Sequence, residues 1–311
     1  MSAIVSINSN RYEAQGQRLE LASYIPKFLL FKQVKDNTAQ TYYHALNHYL
    51  SNCNSPLNSA NVHAYIERLK ETHSMLTIKS NVGVIRDFCK YLNDHEIAEN
   101  KIHGQVQFNY EYRGGNKSVI DDDKFKAMLD TCDLATVVGL RDYAFLRLLQ
   151  STGMRVNEPL GCTMEDISMI QHPLGEKVYL LSYEQKRGYK AIVRLFPKTY
   201  DAIMTYRRFR GAEPESSPLF MSHNRSGSKL PYNVKNAEKM IRMRMNAVGL
   251  TGSRYTAHSF RYTQAIKALE LTGDEHKASQ QLRHLSPKTI QYYTADYRAK
   301  FLGLNMINLE V

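Results

Sequence analysis

The helical spacing of apolar residues that organises the start of this chain stops between His103 and Ser118, where Gly104, Gly114, Gly115 and Asn116 gather around Arg113 and Lys117. Glycine and asparagine reach turn conformations at little steric cost, and a stretch without an apolar face cannot join a core. The break divides the 311 residues into a helical domain over 1–112, a linker over 113–119 and a second domain over 120–311. Both bodies fall in or near the range of about 100 to 200 residues at which one core closes.

Before the break, Leu21, Tyr24, Ile25, Phe28 and Leu29 place an apolar stripe on a helix over Leu19–Lys32, with Pro26 tolerated if it falls in a first turn. Asn37 or Thr38 can cap a helix through Tyr42, Tyr43, Leu46, Tyr49 and Leu50, Ser59 one over Val62–Leu69, and Ser74 a longer one through Ile78, Val82, Ile85, Phe88 and Leu92. Short connections between four or five such helices predict antiparallel packing.

After the break, Asp121, Asp122 and Asp123 precede a helical pattern at Phe125, Met128 and Leu129. Three adjacent carboxylates suit a metal-dependent nuclease, but acids opening a helix more often satisfy its free N–H groups and complement its dipole, and that reading is preferred. A helix follows over Leu140–Ser151. Val178–Ser182 and Ala191–Phe196 are spaced as two strands, with Arg187-Gly188 as the turn. A basic helix near Lys239–Met245, another over His258–Leu271 and a short one before His284 complete the pattern. The expected fold class is mainly α with a small antiparallel β-sheet.

Lys and Arg total 41 against 30 Asp and Glu, a net charge of +11 that favours an anionic partner without choosing among DNA, RNA and an anionic membrane. No apolar run approaches the roughly 18 residues of a membrane span, and Met1 to Asn10 has no secretory pattern, so a soluble cytoplasmic protein is expected. Cys53, Cys89, Cys132 and Cys162 lack the close spacing of zinc or dithiol sites and read as buried thiols.

Three segments carry candidate chemistry. In Thr152-Gly153-Met154-Arg155-Val156-Asn157-Glu158, Gly153 would end a helix and Glu158 would hold Arg155 toward a phosphate. In His258-Ser259-Phe260-Arg261, positions i and i+3 share a helical face. In the run from His284 to Tyr293, Ser286 as N-cap and Pro287 at the first helical position start a helix that carries Tyr293 in its second turn. Taken singly, each has an ordinary explanation: a surface ion pair, a solvated helix face, and one packed ring among 21 tyrosines.

Jointly, and in this order, the segments resemble the tyrosine recombinase, or phage integrase, family. Arg155 matches its first arginine box, His258 and Arg261 its His-x-x-Arg box, His284 the following histidine, and Tyr293, nine residues later, the nucleophile. The resemblance implies a helical core-binding domain followed by a catalytic domain. It also implies a catalytic lysine in the hairpin turn, with Lys186 matching by position and Lys190 as the second choice. Arg283 stands where the family usually has glycine, and Lys288-Thr289 replaces its common Thr-Thr pair.

The implied activity is site-specific cleavage and rejoining of DNA through a 3′-phosphotyrosyl intermediate. The two guanidiniums meet the charge gathering on a phosphodiester under attack. A phenol with a pKa near 10 needs a base, for which His258 is the candidate. Lys186 protonates the departing 5′ oxygen, and His284 binds the phosphate or positions the tyrosine. No metal, ATP or other cofactor is expected. Implied partners are double-stranded DNA, three further copies in a homotetramer on paired sites, and accessory DNA-bending proteins, placing the protein on the nucleoid. Competing expectations are a type IB topoisomerase, a catalytically silent DNA-binding regulator of the same fold, and the metal-dependent nuclease. The apolar tail from Phe301 through Leu302, Leu304, Met306, Ile307 and Leu309 is expected to pack either on its own domain or on a neighbouring copy.

Overall fold

The computed structural model describes residues 18–110, 118–185, 188–211, 213–223 and 230–282. Its contacts divide the chain into two compact units, Met1–Tyr112 and Arg113–Val311.

In the first unit, the expected helix over Leu19–Lys32 is two. A helical segment α1, described over residues 18–23, ends in a turn at Tyr24, and α2 covers Ile25–Lys32 with Pro26 in its opening positions, where the missing N–H breaks no intrahelical bond. Then come α3 (Asp36–Asn52), α4 (Ser59–Leu69), α5 (Met75–Asp94) and the single turn α6 (Ile102–Gln105). Two caps differ from expectation. Helix α3 starts one residue before Asn37 with no side-chain cap, and α4 is capped by Asn58, whose side chain accepts from Asn61 N at 3.2 Å, rather than by Ser59. Ser74 caps α5 as expected, accepting from Thr77 N at 3.2 Å. Helix α5 is the centre, packed on α2, α3, α4 and α6. Phe28 and Phe88 are fully buried and meet edge to face with centroids 5.4 Å apart. Burying such a ring contributes about 1.5–3 kcal/mol, so the apolar stripe, not helix propensity, holds these short helices in place.

The second unit runs α7 (Asp122–Asp130), α8 (Val137–Thr152), two 3-10 turns, β1 (Ile167–Gln171), β2 (Lys177–Glu184), β3 (Lys190–Leu195), α9 (Pro197–Arg210), α10 (Val234–Ala247), α11 (His258–Thr272) and α12 (Glu275–Gln281). It is mainly helical with one antiparallel sheet of order β1-β2-β3, in which Leu181 pairs with Ile167 on one side and Val193 on the other. Strand β1 was not expected. Four of its five residues are exposed, so no inward–outward alternation marks it, and only its register with β2 makes it a strand.

Helix α8 is enclosed on nearly every side, with Ala144, Phe145, Leu148 and Leu149 inaccessible to solvent. Thr136 caps it by accepting from Gly139 N at 3.1 Å. Gly139 has no alternative, since a Cβ there would lie 1.9 Å from the Asp133 carbonyl oxygen. Asp122 and Asp123 occupy the first turn of α7, and Asp122 pairs with Lys267. Among the described residues, no three His, Cys, Asp or Glu side chains are grouped to hold a metal, and no helix is long and apolar enough to cross a membrane.

Candidate active site

Helix α8 ends at Gly153, whose left-handed backbone (φ 64°) lets its N–H close on Leu149 O at 2.9 Å. The chain then turns at once through Arg155. Glu158, with a side chain only 2% exposed, folds back on it: Oε2 accepts from the Arg155 backbone N–H and Oε1 from Nη1, both at 2.7 Å. A buried carboxylate therefore clamps both the backbone and one terminal nitrogen of an arginine whose side chain is 36% exposed. The other guanidinium nitrogens of Arg155 meet no acceptor among the described residues. This is a charged, planar donor set aimed from a rigid turn, suited to a phosphate or carboxylate oxygen.

His258 is the first residue of α11 and is exposed, and its backbone N–H donates to Thr256 Oγ1 at 3.3 Å. Arg261, one turn on, is 1% exposed. Its Nη1 donates to Gly153 O at 2.7 Å and its Nη2 to Leu282 O at 2.6 Å. Arg261 thus draws together the end of α8, two residues before Arg155, and the end of α12, two residues before His284. The surroundings fit this join closely. A Cβ on Gly153 would come within 2.8 Å of Leu282 Cδ2 and 3.2 Å of Gln264 Cβ. Leu282 is fully buried with Ala265, Ala268, Leu269 and Ala278.

Gly153 was legible as a helix terminator and Glu158 as the partner of Arg155. The part played by the Gly153 and Leu282 carbonyls was not, because a backbone oxygen leaves no mark in a sequence. Cys162 lies beside this turn, donating to Glu158 O at 3.4 Å. Burial first, then Asp166 and Glu158, push its thiol up to about 12, so it is no nucleophile at neutral pH. Lys186, His284 and Tyr293 lie outside the described residues, as does the tail from Phe301. The strands flanking Lys186 do form the expected hairpin, with Gln185 N donating to Tyr189 O at 2.7 Å, and the second choice, Lys190, is exposed at the start of β3.

Residues 118–300 match the Phage integrase family. A tyrosine recombinase XerC of Rhizobium meliloti (strain 1021) is 28% identical over 242 residues, covering 76% of this chain and 72% of that protein. The XerC of Pelobacter propionicus is 29% identical over 175 residues, a match spanning 56% of this chain and about half (54%) of that relative. Among solved structures, the XerH site-specific recombinase bound to palindromic difH substrate aligns over 92% of this chain and 95% of its own, with TM-score 0.70 at 15% identity. A lambda integrase dimer bound to a COC′ core site aligns over 87% of this chain and 96% of its own, with TM-score 0.68 at 16% identity. At such identity these two structures establish a shared fold.

Proposed function

This chain belongs to the phage integrase family, and from that membership we propose that it is a site-specific tyrosine recombinase, cleaving and rejoining DNA through a 3′-phosphotyrosyl bond. The observation that carries the reading is the clamp of Glu158 on Arg155, set in the same unit as an Arg261 that ties the Arg155-bearing turn to the segment leading into His284.

In the proposed reaction the Tyr293 hydroxyl oxygen attacks the scissile phosphorus, giving its proton to His258. The bond to the 5′ oxygen breaks, and that oxygen takes a proton from Lys186. Arg155 and Arg261 supply positive charge to the nonbridging oxygens as the attack builds negative charge on them. His284 holds the phosphate or the tyrosine. The phosphotyrosyl bond keeps the energy of the original diester, so a 5′ hydroxyl from another strand reverses the attack and seals the break. The chemistry draws on no metal or nucleotide.

The net charge of +11 supports duplex DNA as the substrate, with units 1–112 and 120–311, joined through 113–119, each contributing phosphate contacts, the first as a core-binding domain. The XerH and lambda integrase structures are DNA complexes, one of them a lambda integrase tetramer bound to a Holliday junction. That likeness supports a homotetramer on paired sites, and the recombinase reading further proposes DNA-bending accessory proteins and a place on the cytoplasmic nucleoid. The test is incubation with nicked suicide substrates carrying candidate sites. A covalent protein–DNA adduct that forms in excess EDTA is the expected result, and adduct-free cleavage that EDTA abolishes refutes the reading.

A further inference from the structure

The opposite end of α8 carries a second polar centre that the proposed reaction does not use. Arg141 is 6% exposed and Asp142 2%. Arg141 donates to Asp142 Oδ1 from Nε at 3.1 Å and Nη2 at 2.6 Å, while Arg244, from α10, donates to Oδ2 from Nη2 at 3.1 Å. One carboxylate therefore serves two guanidiniums. The Arg141 plane is fixed by the Tyr232 ring, 3.8 Å away. Arg244 also donates to the carbonyl of Thr131 at the end of α7, and its buried Nε meets no acceptor among the described residues.

These groups border an open cleft of about 410 Å³, which Lys239, His223, Ser222 and Asn236 also line. Three permanent cations face it (Arg141, Lys239, Arg244) against one carboxylate (Asp142), so the formal balance is 3 − 1, or +2. His223 adds no charge: burial, then Arg141 and Arg210, press its imidazole toward the neutral form. Glu213, the other carboxylate acting on His223, is paired with Arg210 at 3.1 Å. The helix ends leave the balance unchanged, since the negative end of α7 at Thr131 offsets the positive end of α8 at Val137.

We propose that this cleft is a binding site for a phosphate monoester dianion, about 18 Å along α8 from the Gly153 end, given twelve residues at roughly 1.5 Å each. A monoester phosphate carries about −1.5 to −2 near neutral pH and matches the surplus. A carboxylate or a phosphodiester brings one charge and leaves a cation uncompensated in a partly desolvated cleft, where that imbalance is costly. Arg141 gives Nε and Nη2 to Asp142 and Nη1 to Met221 O at 3.3 Å, so a ligand is met by the second hydrogens of the guanidinium terminal nitrogens and by the three of the Lys239 ammonium. Val138, Met240 and Met243 give the cleft an apolar wall for whatever carries the phosphate.

The test is titration of the full-length protein with inorganic phosphate at pH 7.5, followed calorimetrically and by phosphorus NMR line width. Saturable binding is expected in Arg155→Ala protein, which removes the active-site guanidinium as a rival phosphate site, weakened about tenfold by adding Lys239→Ala or Arg244→Lys, with acetate failing to compete. Lys239 is exposed, so its variant keeps the fold whatever happens at Arg244. Adenosine 5′-monophosphate and a 5′-phosphorylated oligonucleotide, each against its dephosphorylated form, separate a soluble metabolite from a nucleic-acid end as the source. Absence of saturation in the Arg155→Ala protein, equal affinity with and without either cleft substitution, or acetate binding as tightly as phosphate each overturns the proposal.

Discussion

The guanidinium of Arg261 donates to the carbonyl oxygen of Gly153 at 2.7 Å across 108 residues of sequence. Through this bond a side chain of α11 sets the position of the turn that presents Arg155. The second bond, to Leu282, passes the same constraint to the chain entering His284.

Gly153→Ala should therefore damage the site although it adds one methyl group. The backbone at φ 64° is strained for any side chain with a Cβ, and the new atom would lie 2.8 Å from Leu282 Cδ2. A loss of about 1–3 kcal/mol in stability is expected. Adduct formation should fall further than the folded fraction does. Thermal denaturation with suicide-substrate trapping of the same preparation reads out both, and unchanged trapping would contradict the link.

Tyr293→Phe should abolish the covalent adduct while site binding stays within a few fold, because only one hydroxyl is removed. Tyr292→Phe should keep it, since on the helix that the sequence predicts from Ser286 adjacent residues would point about 100° apart. Peptide mapping of trapped adducts decides the matter, and a DNA-linked peptide modified at Tyr292 or Tyr297 would move the nucleophile.

DNA affinity should drop steeply with salt. A protein neutralising six or more phosphates loses about a thousandfold or more between 50 and 200 mM salt, through counterion release. Binding isotherms across that range test it, and a flat response would rule out phosphate contacts as the main source of affinity.

Helix α12 should weaken in acid. Asp274 caps it, accepting from His276 N at 2.7 Å and Lys277 N at 3.3 Å, and these backbone bonds hold the carboxyl below its ordinary range. A carboxyl whose folded pKa is depressed stabilises above its unfolded value, near 3.9, and the contribution disappears as pH falls through the lowered folded value. Hydrogen exchange should show α12 protection declining below about pH 4. Asp274→Asn keeps a capping oxygen that does not titrate, and its protection should be flat over the same window.

The four cysteines are buried and unpaired with one another. Burial, the leading cause in each, pushes the Cys89 and Cys162 thiols up to about 12 and Cys132 up to about 11. Native protein should resist alkylation at pH 8 and label fully once denatured. Rapid native labelling of any of the four would show that its segment opens.

What the sequence determined by itself was local. Apolar stripes of helical period named most of the helices, though not α6 or α9, Ser74 and Gly153 marked ends where they occur, and the two runs around Arg187-Gly188 announced a hairpin, because each signal lies within a few residues of its effect. The order of Arg155, His258, Arg261, His284 and Tyr293 pointed to the family for the same reason. Tertiary structure alone decided which charges are buried. His258 and Arg261 stand one turn apart on a single helix, yet the imidazole at the helix start is exposed and the guanidinium is enclosed, since its acceptors come from the ends of α8 and α12. Arg141 and Asp142 look like surface residues until Arg244, 102 positions beyond Asp142, closes over them. Burying a charge is favourable only when distant partners meet it in the folded chain, and no local pattern records that meeting.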